Sequence, residues 1–517
     1  MPDTDTESRR SISRRKFVKA AGASGVTAGI AGCTGNGGGD GGGGTTEPGD
    51  GGDGGDGGGQ ITIQFASDDN FKSQQETINE VLHNNGVSDN VKLEILGGSF
   101  VSSGRQNKYK NILNAGQKKP TLFMMDNGWT IPFIVRDQIA NLSDVLSSST
   151  ISTVKNDYLN TMVATAMQDG DLYGVPLFAD FGTIQYRKDL VKKAGYSESD
   201  FKKWATESMT WKEFSQVVKK SMEANPKKQG FNFQAASYIG LSCCDFVEFM
   251  SSWGGSYFGK FDNLFGPVGD RPITVDEKPV KQSINMIRHF IYGDNPNGNF
   301  GDYAGQISPK AVVQYKEESS RKPFTNGNVL FHRNWPYSID INADDPNKKA
   351  DEPWREKDET AGLGQENLGV MPIPYAVTAE ESNYGPEIGG IPSALGGWHV
   401  TLNPNAPQEK KDAAKQIFRA MTKTEVQLGL LEAGGWLPPV ADTVRSDAAK
   451  EKTNLISPYL DTLAVAGENA VPRPVTRVWP QEADQVESEV NAAIKREKSA
   501  SKAMSSLKSS LEELEQL

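Results

Sequence analysis

The chain has 517 residues, 55 basic and 66 acidic, and a formal net charge of −11. That length exceeds what one hydrophobic core usually serves, so two lobes or domains are expected, and the acidic balance argues against nucleic acid as a partner. Four histidines and three cysteines without clustered spacing point to no metal site and no cofactor.

The first 33 residues read as an address. Ser13-Arg14-Arg15-Lys16-Phe17 has the form of a twin-arginine export motif. The apolar run after it, Ala20 to Ile30, is too short and too rich in Gly and Ala to span a bilayer. It ends in Ile30-Ala31-Gly32-Cys33, the form of a lipobox, which makes Cys33 the expected lipidation site. Residues 34–59 are almost wholly Gly and Asp and bury no apolar surface. A tether of that composition reaches about 25–30 Å. Signal, lipid and tether together predict a protein held on the extracellular face of the cell membrane.

In the body, Gln60 to Ala66 alternates as a strand, Ser73 to His83 has helical spacing, Lys92 to Leu96 is a strand and Arg105 to Ala115 a helix. Thr121 to Met125 reads as a buried strand ending at Asp126. Strands alternating with helices predict a largely parallel α/β sheet, with ligands met at the carboxyl ends of strands. A further strand-like passage ends at Pro176, with an irregular turn through Phe178-Ala179-Asp180 and a new strand from Thr183 to Tyr186. A helix from Lys188 stops at Gly195, and Thr210 with Glu213 forms a capping box for the next. Trp211, Phe214, Val217, Val218 and Met222 keep helical spacing, as do Val280, Ile284, Ile287 and Ile291.

The adjacent Cys243 and Cys244 read as reduced packing residues, since neighbouring Cα atoms about 3.8 Å apart lie below the usual disulfide range. Asn328 to Phe331 is strand-like, and a charged loop from Ala343 to Asn367 separates it from the next regular elements. Leu368 to Met371 and Trp398 to Leu402 are predicted strands returning to the first lobe. Pro407 to Met421 and Thr424 to Glu432 are predicted helices of the second, and Met504, Leu507, Leu511 and Leu514 stripe one face of a last helix. The expected division is 60–180 for lobe I, 181–345 for lobe II, 346–402 for an insertion and return to lobe I, and 403–517 for the rest of lobe II. Lobe crossings are expected near residues 180, 340 to 368 and 403.

Carboxylates and arginine satisfy sugar hydroxyls with charge-assisted hydrogen bonds, while aromatic rings stack on C–H faces. Such residue types stand at loop positions throughout: Asp126 and Trp129; Phe178 and Asp180 at the first crossing; Trp335 and Tyr337 in RNWPY; Gly397 and Trp398 in LGGWH; Trp436 in EAGGWLPP; Arg473 in ENAVPRP. From Gln60 to Ile494 the body resembles the extracellular solute-binding proteins of ABC importers, in the branch that binds trehalose and maltose. TLFMMDNGWTIPFI, YIGLSCCDFVEFMSSWGG, RNWPY, LGGWH and ENAVPRP carry the likeness in order.

The resemblance implies a two-lobed periplasmic-binding-protein fold, type II-like, with a hinge and discontinuous domains. It also implies a monomeric, non-enzymatic receptor that binds a sugar and partners ABC permease subunits at the membrane. The family's ligand residues carry over to Asp126, Asp180, Trp335, Tyr337, Gly397, Trp398 and Arg473, with Arg105 matching a family arginine loosely. Phe178 stands where the family has tyrosine, and Asp68, Asp69 and Asn70 lie where an early glutamate is replaced. Two rivals remain: a receptor for another polyol, oligosaccharide or glycerol phosphate, and a secreted glycosidase using Asp126 and Asp180.

Overall fold

In the computed structural model, the structure describes residues 59–99, 102–347, 362–452 and 455–517. The expected signal, the Cys33 lipidation site and nearly all of the tether lie outside the described residues, as does the middle of the charged insertion.

The first sheet is built from β1 (Ile61–Ala66), β2 (Val91–Leu96), β3 (Leu122–Asp126), β4 (Gly174–Phe181), β9 (Ser393–Leu402) and β10 (Ala470–Val471). Its order is β10-β9-β3-β1-β2, with β4 also pairing β9. β1, β2 and β3 run parallel, whereas β9 is antiparallel to both β3 and β4. In β2 the alternation is plain: Val91, Leu93 and Ile95 are buried and Lys92 is exposed. The second sheet contains β5 (Thr183–Arg187), β6 (Gln229–Asn232), β7 (Val329–Asn334) and β8 (Leu368–Met371), in the order β8-β5-β7-β6.

The helices that matter below are α1 (Ser102–Asn114), α2 (Trp211–Ala224), α3 (Phe246–Ser251), α4 (Pro336–Ala343), α5 (Gln408–Met421), α6 (Thr424–Gly434), α7 (Trp479–Ile494) and α8 (Ala500–Leu514). α2 begins as its sequence requires: Thr210 Oγ1 accepts from the Glu213 N–H, and the Glu213 carboxylate accepts from the Thr210 N–H at 2.9 Å. Met504, Leu507 and Leu511 are buried against α7 in the core of the second lobe, which explains the stripe on α8.

Four local expectations are corrected. Phe178, Ala179 and Asp180 form no turn, because β4 runs unbroken from Gly174 to Phe181. Its irregularity is a bulge that shifts register between Trp398 and His399 of β9. The strand Leu368–Met371 stays in the second lobe, where it pairs antiparallel with β5. The helices α5 and α6 pack largely on the first lobe: Ala413, Ile417, Phe418, Val426 and Leu430 share a core with Ile63, Phe65 and Val400. Cys243 and Cys244 are joined by a disulfide within a π-helical turn, Leu241–Asp245. A bonded sulfur has no S–H needing a partner in that buried site.

The chain thus passes from the first sheet to the second between β4 and β5, at Gly182. It returns between Met371 and Ser393, and leaves again after Val471 for α7 and α8. The predicted second and third crossings are displaced to these positions, because strand pairing and helix packing keep β8 in lobe II and α5 in lobe I.

Candidate functional site

The centre of the site is the middle of β9, where Gly396 pairs Asp180 of β4, and Trp398 pairs Asp126 of β3 on one side and Phe178 of β4 on the other. Glycine at 397 is required by the backbone. Its φ is 123°, and a Cβ there would lie 2.8 Å from the Phe178 carbonyl oxygen and 2.6 Å from Met162 Cε. Gly397 therefore shapes the strand, and its carbonyl accepts from the Asn127 N–H at 3.1 Å.

Asp126 ends β3 with both carboxylate oxygens engaged. One accepts from the Gly128 N–H at 2.8 Å and from Arg473 Nη1 at 3.0 Å; the other accepts from Ser102 Oγ at 2.9 Å. Arg473 reaches this position across Gly128, where a Cβ would stand 1.9 Å from its Nη1. The Arg473 Nε is buried without a protein partner. On α1, Arg105 donates from Nη1 to Asp68 Oδ2 at 2.7 Å and lays its guanidinium 4.0 Å from the Trp398 ring centroid. Its Nε is likewise buried and unpaired, leaving two arginines with N–H groups to spare.

Trp398 donates to Asp180, whose carboxyl is nevertheless held well above the usual carboxylate range. Burial is the main cause, and the negative charges of Asp126 and Asp68 add to it. A carboxyl raised in this way presents, when protonated, both a donor and an acceptor.

The second lobe brings Trp335, at the end of β7 and the start of α4. Its six-membered ring approaches within 3.1 Å of where a Gly396 Cβ would sit, beside Asp180 Cβ at 2.9 Å from the same point. Two residues earlier, Arg333 lies 4.2 Å from the Trp335 ring centroid. Arg333 is clamped by Glu248 of α3 through two bonds of 2.7 and 2.5 Å, with Asp245 at 3.3 Å. Burial, then Glu248, lifts the Asp245 carboxyl, while Arg333 opposes the lift.

The structure brings together Asp126, Asp180, Arg105, Trp398, Arg473 and Trp335. Other predicted residues take supporting places. Trp129 is buried against Tyr109 and Phe133, and its indole N–H donates to Ser102 Oγ at 2.7 Å, so it fixes the hydroxyl that holds Asp126. Trp436 packs on Phe71 and Phe178 with centroids 4.6 and 6.2 Å away, all three rings being buried. Tyr337 donates its hydroxyl to Glu318 at 2.9 Å. Of the three polar residues offered in place of the family's early glutamate, Asp68 is the one that meets Arg105, and it also caps the short helix at Asp69. Ser102, Glu248 and Arg333 are absent from the predicted set and became neighbours only through folding. Among the described residues, no group of His, Cys, Asp and Glu is arranged to hold a metal, and no helix is long and apolar enough to cross a membrane.

The family model for bacterial extracellular solute-binding proteins matches residues 88–456. The chain belongs to that family. A probable ABC transporter-binding protein of Deinococcus radiodurans is 28% identical over 380 residues, covering 72% of this chain and 74% of that protein. Among solved structures, maltose-bound MalE3 of T. maritima is similar with a TM-score of 0.67 and 25% identity, over 88% of this chain and all of that one. The GacH receptor of Streptomyces glaucescens, studied unliganded and with acarbose, has a TM-score of 0.65 at 17% identity, over 88% and 99% of the two chains. The fold is therefore the two-lobed one of binding proteins, and the family is one of solute-binding proteins, not enzymes.

Proposed function

We propose that this solute-binding protein is the lipid-anchored receptor of an ABC importer, capturing a sugar of disaccharide size, such as trehalose or maltose, between its lobes. The observation that supports this most is the meeting of Trp335 from the second lobe with Gly396 and Asp180 of the first sheet. An indole supplies the apolar platform for C–H faces. Asp126, Asp180 and the unpaired N–H groups of Arg105 and Arg473 supply hydroxyl partners around it. A solute touching both lobes stabilises the closed arrangement by its differential affinity, and the permease then recognises that shape. No bond of the solute is broken in this cycle.

A thermal-shift panel of maltose, trehalose and longer glucans tests the reading. A sugar present at a hundredfold excess over its Kd adds about 2.7 kcal/mol to stability, and Trp335→Ala should abolish most of that shift. A shift undiminished in the variant would remove Trp335 from the site. Anchoring is tested by Cys33→Ala, which should move the protein from the membrane fraction to the medium.

A further inference from the structure

The Cys243–Cys244 bridge lies in the wall of the site. Both cysteines are 3% exposed, and together with Ala394 at the start of β9 they form a small apolar cluster against which the Trp335 ring packs. The same short segment supplies the ionic support. Asp245 closes the π-helical turn, and Glu248, one helical turn on, grips the Arg333 guanidinium that covers Trp335. Glu248 Oε1 also accepts from the Ala394 N–H at 3.0 Å, fastening this wall to the first sheet.

We propose that the Cys243–Cys244 disulfide is a positioning element for solute binding: it is the apolar buttress that fixes the Trp335 ring in the orientation that stacks on the ligand. The inference rests on the sugar-receptor reading above. The physical reason is one of separable scales. A bridge between sequence neighbours closes almost no loop, so it removes very little entropy from the unfolded chain and adds little to global stability. What it restricts is the local backbone of a π-helical turn, a type of irregularity found often at functional sites. Opening it requires a reductant. A dithiol attacks one sulfur through its thiolate, the S–S bond breaks, two cysteine thiols form and the reagent ends as its own cyclic disulfide.

The test compares the full chain with its Cys243→Ala/Cys244→Ala variant, each with and without Trp335→Ala, by calorimetric titration with maltose and with trehalose. Loss of the bridge should weaken binding about three- to tenfold, the size of one aromatic contact. It should leave the melting temperature within about 2 °C, as expected for a minimal loop. In the Trp335→Ala background it should cost nothing further, since the bridge acts through that ring. Dithiothreitol on the unmodified chain should reproduce the loss, and reoxidation should restore binding. Unchanged affinity, or the same loss with Trp335 already removed, would overturn the proposal. If neither sugar binds the unmodified chain, the receptor reading fails for both sugars. The buttress is then judged by iodide quenching of fluorescence, taken as the difference from Trp335→Phe: greater quenching without the bridge supports it, and equal quenching overturns it.

Discussion

At the scale of single residues, two side chains decide the chemistry of the site by what surrounds them. Asp180 is an acid whose folded-state proton affinity is raised, so its contribution to stability is full below the ordinary carboxylate range and is lost as pH climbs through the folded value. Asp180→Asn should therefore melt above the unmodified chain at pH 8, with the gap closing toward pH 4, while sugar affinity falls roughly tenfold or more for a lost buried partner. Differential scanning at the two pH values and titration with maltose read both arms. Arg473 depends on a glycine: Gly128→Ala would drive a methyl group into the guanidinium 1.9 Å away and push it off Asp126. The expected cost is one charge-assisted hydrogen bond, about 1.5–3 kcal/mol of binding. Asp126, Asp180 and Trp398 were visible in the sequence because their types suit a sugar and their blocks resemble a known family. Ser102 and Arg333 were not, because nothing local distinguishes a serine or arginine that folding will bring against Asp126 or Trp335.

At the scale of elements, the clamp between β7 and α3 does the positioning. Arg333 is buried with two carboxylates, and the closer, Glu248, also caps the start of β9. Removing one member of a buried pair leaves an uncompensated charge, so Glu248→Ala should destabilise by about 3 kcal/mol or more in urea unfolding. Smaller losses belong to α2, where Thr210→Ala removes a cap and should cost about 1 kcal/mol. That capping box was legible because it involves only residues three apart. The strand character of Phe178 to Asp180 was not. Asp180 pairs Gly396, far along the chain, and a proline beforehand reads locally as an end.

At the scale of the whole molecule, α7 and α8 close the second lobe around a buried ion group. Arg271 donates to Glu482 and Glu515, at 3.0 and 2.6 Å, with almost no exposure of any of the three side chains. Burial first, and then the neighbouring Glu515, lift Glu482 to about 8 against the pull of Arg271; Glu515 itself is held below its ordinary range. Both carboxylates contact the same Arg271 nitrogen, so the two acids titrate as a pair. For Glu482, stability is therefore fullest at the acid end and falls as pH rises from the ordinary glutamate range toward 8. Glu482→Gln should gain on the unmodified chain in melting temperature from pH 6 to pH 9, and a constant difference across that range would contradict a raised Glu482 carboxyl.

The sequence by itself determined the periodic and capped elements: the run ending at Asp126, the helix opening at Thr210 and the apolar stripe of the last helix. Each depends on residues close in the chain, through alternation, spacing or a cap. Tertiary structure alone decided which sheet Leu368–Met371 joins and which lobe α5 covers. It also decided that Cys243 and Cys244 bond beneath Trp335. Those outcomes turn on partners distant in sequence, since an apolar strand or helix face suits either core until packing and strand pairing select one.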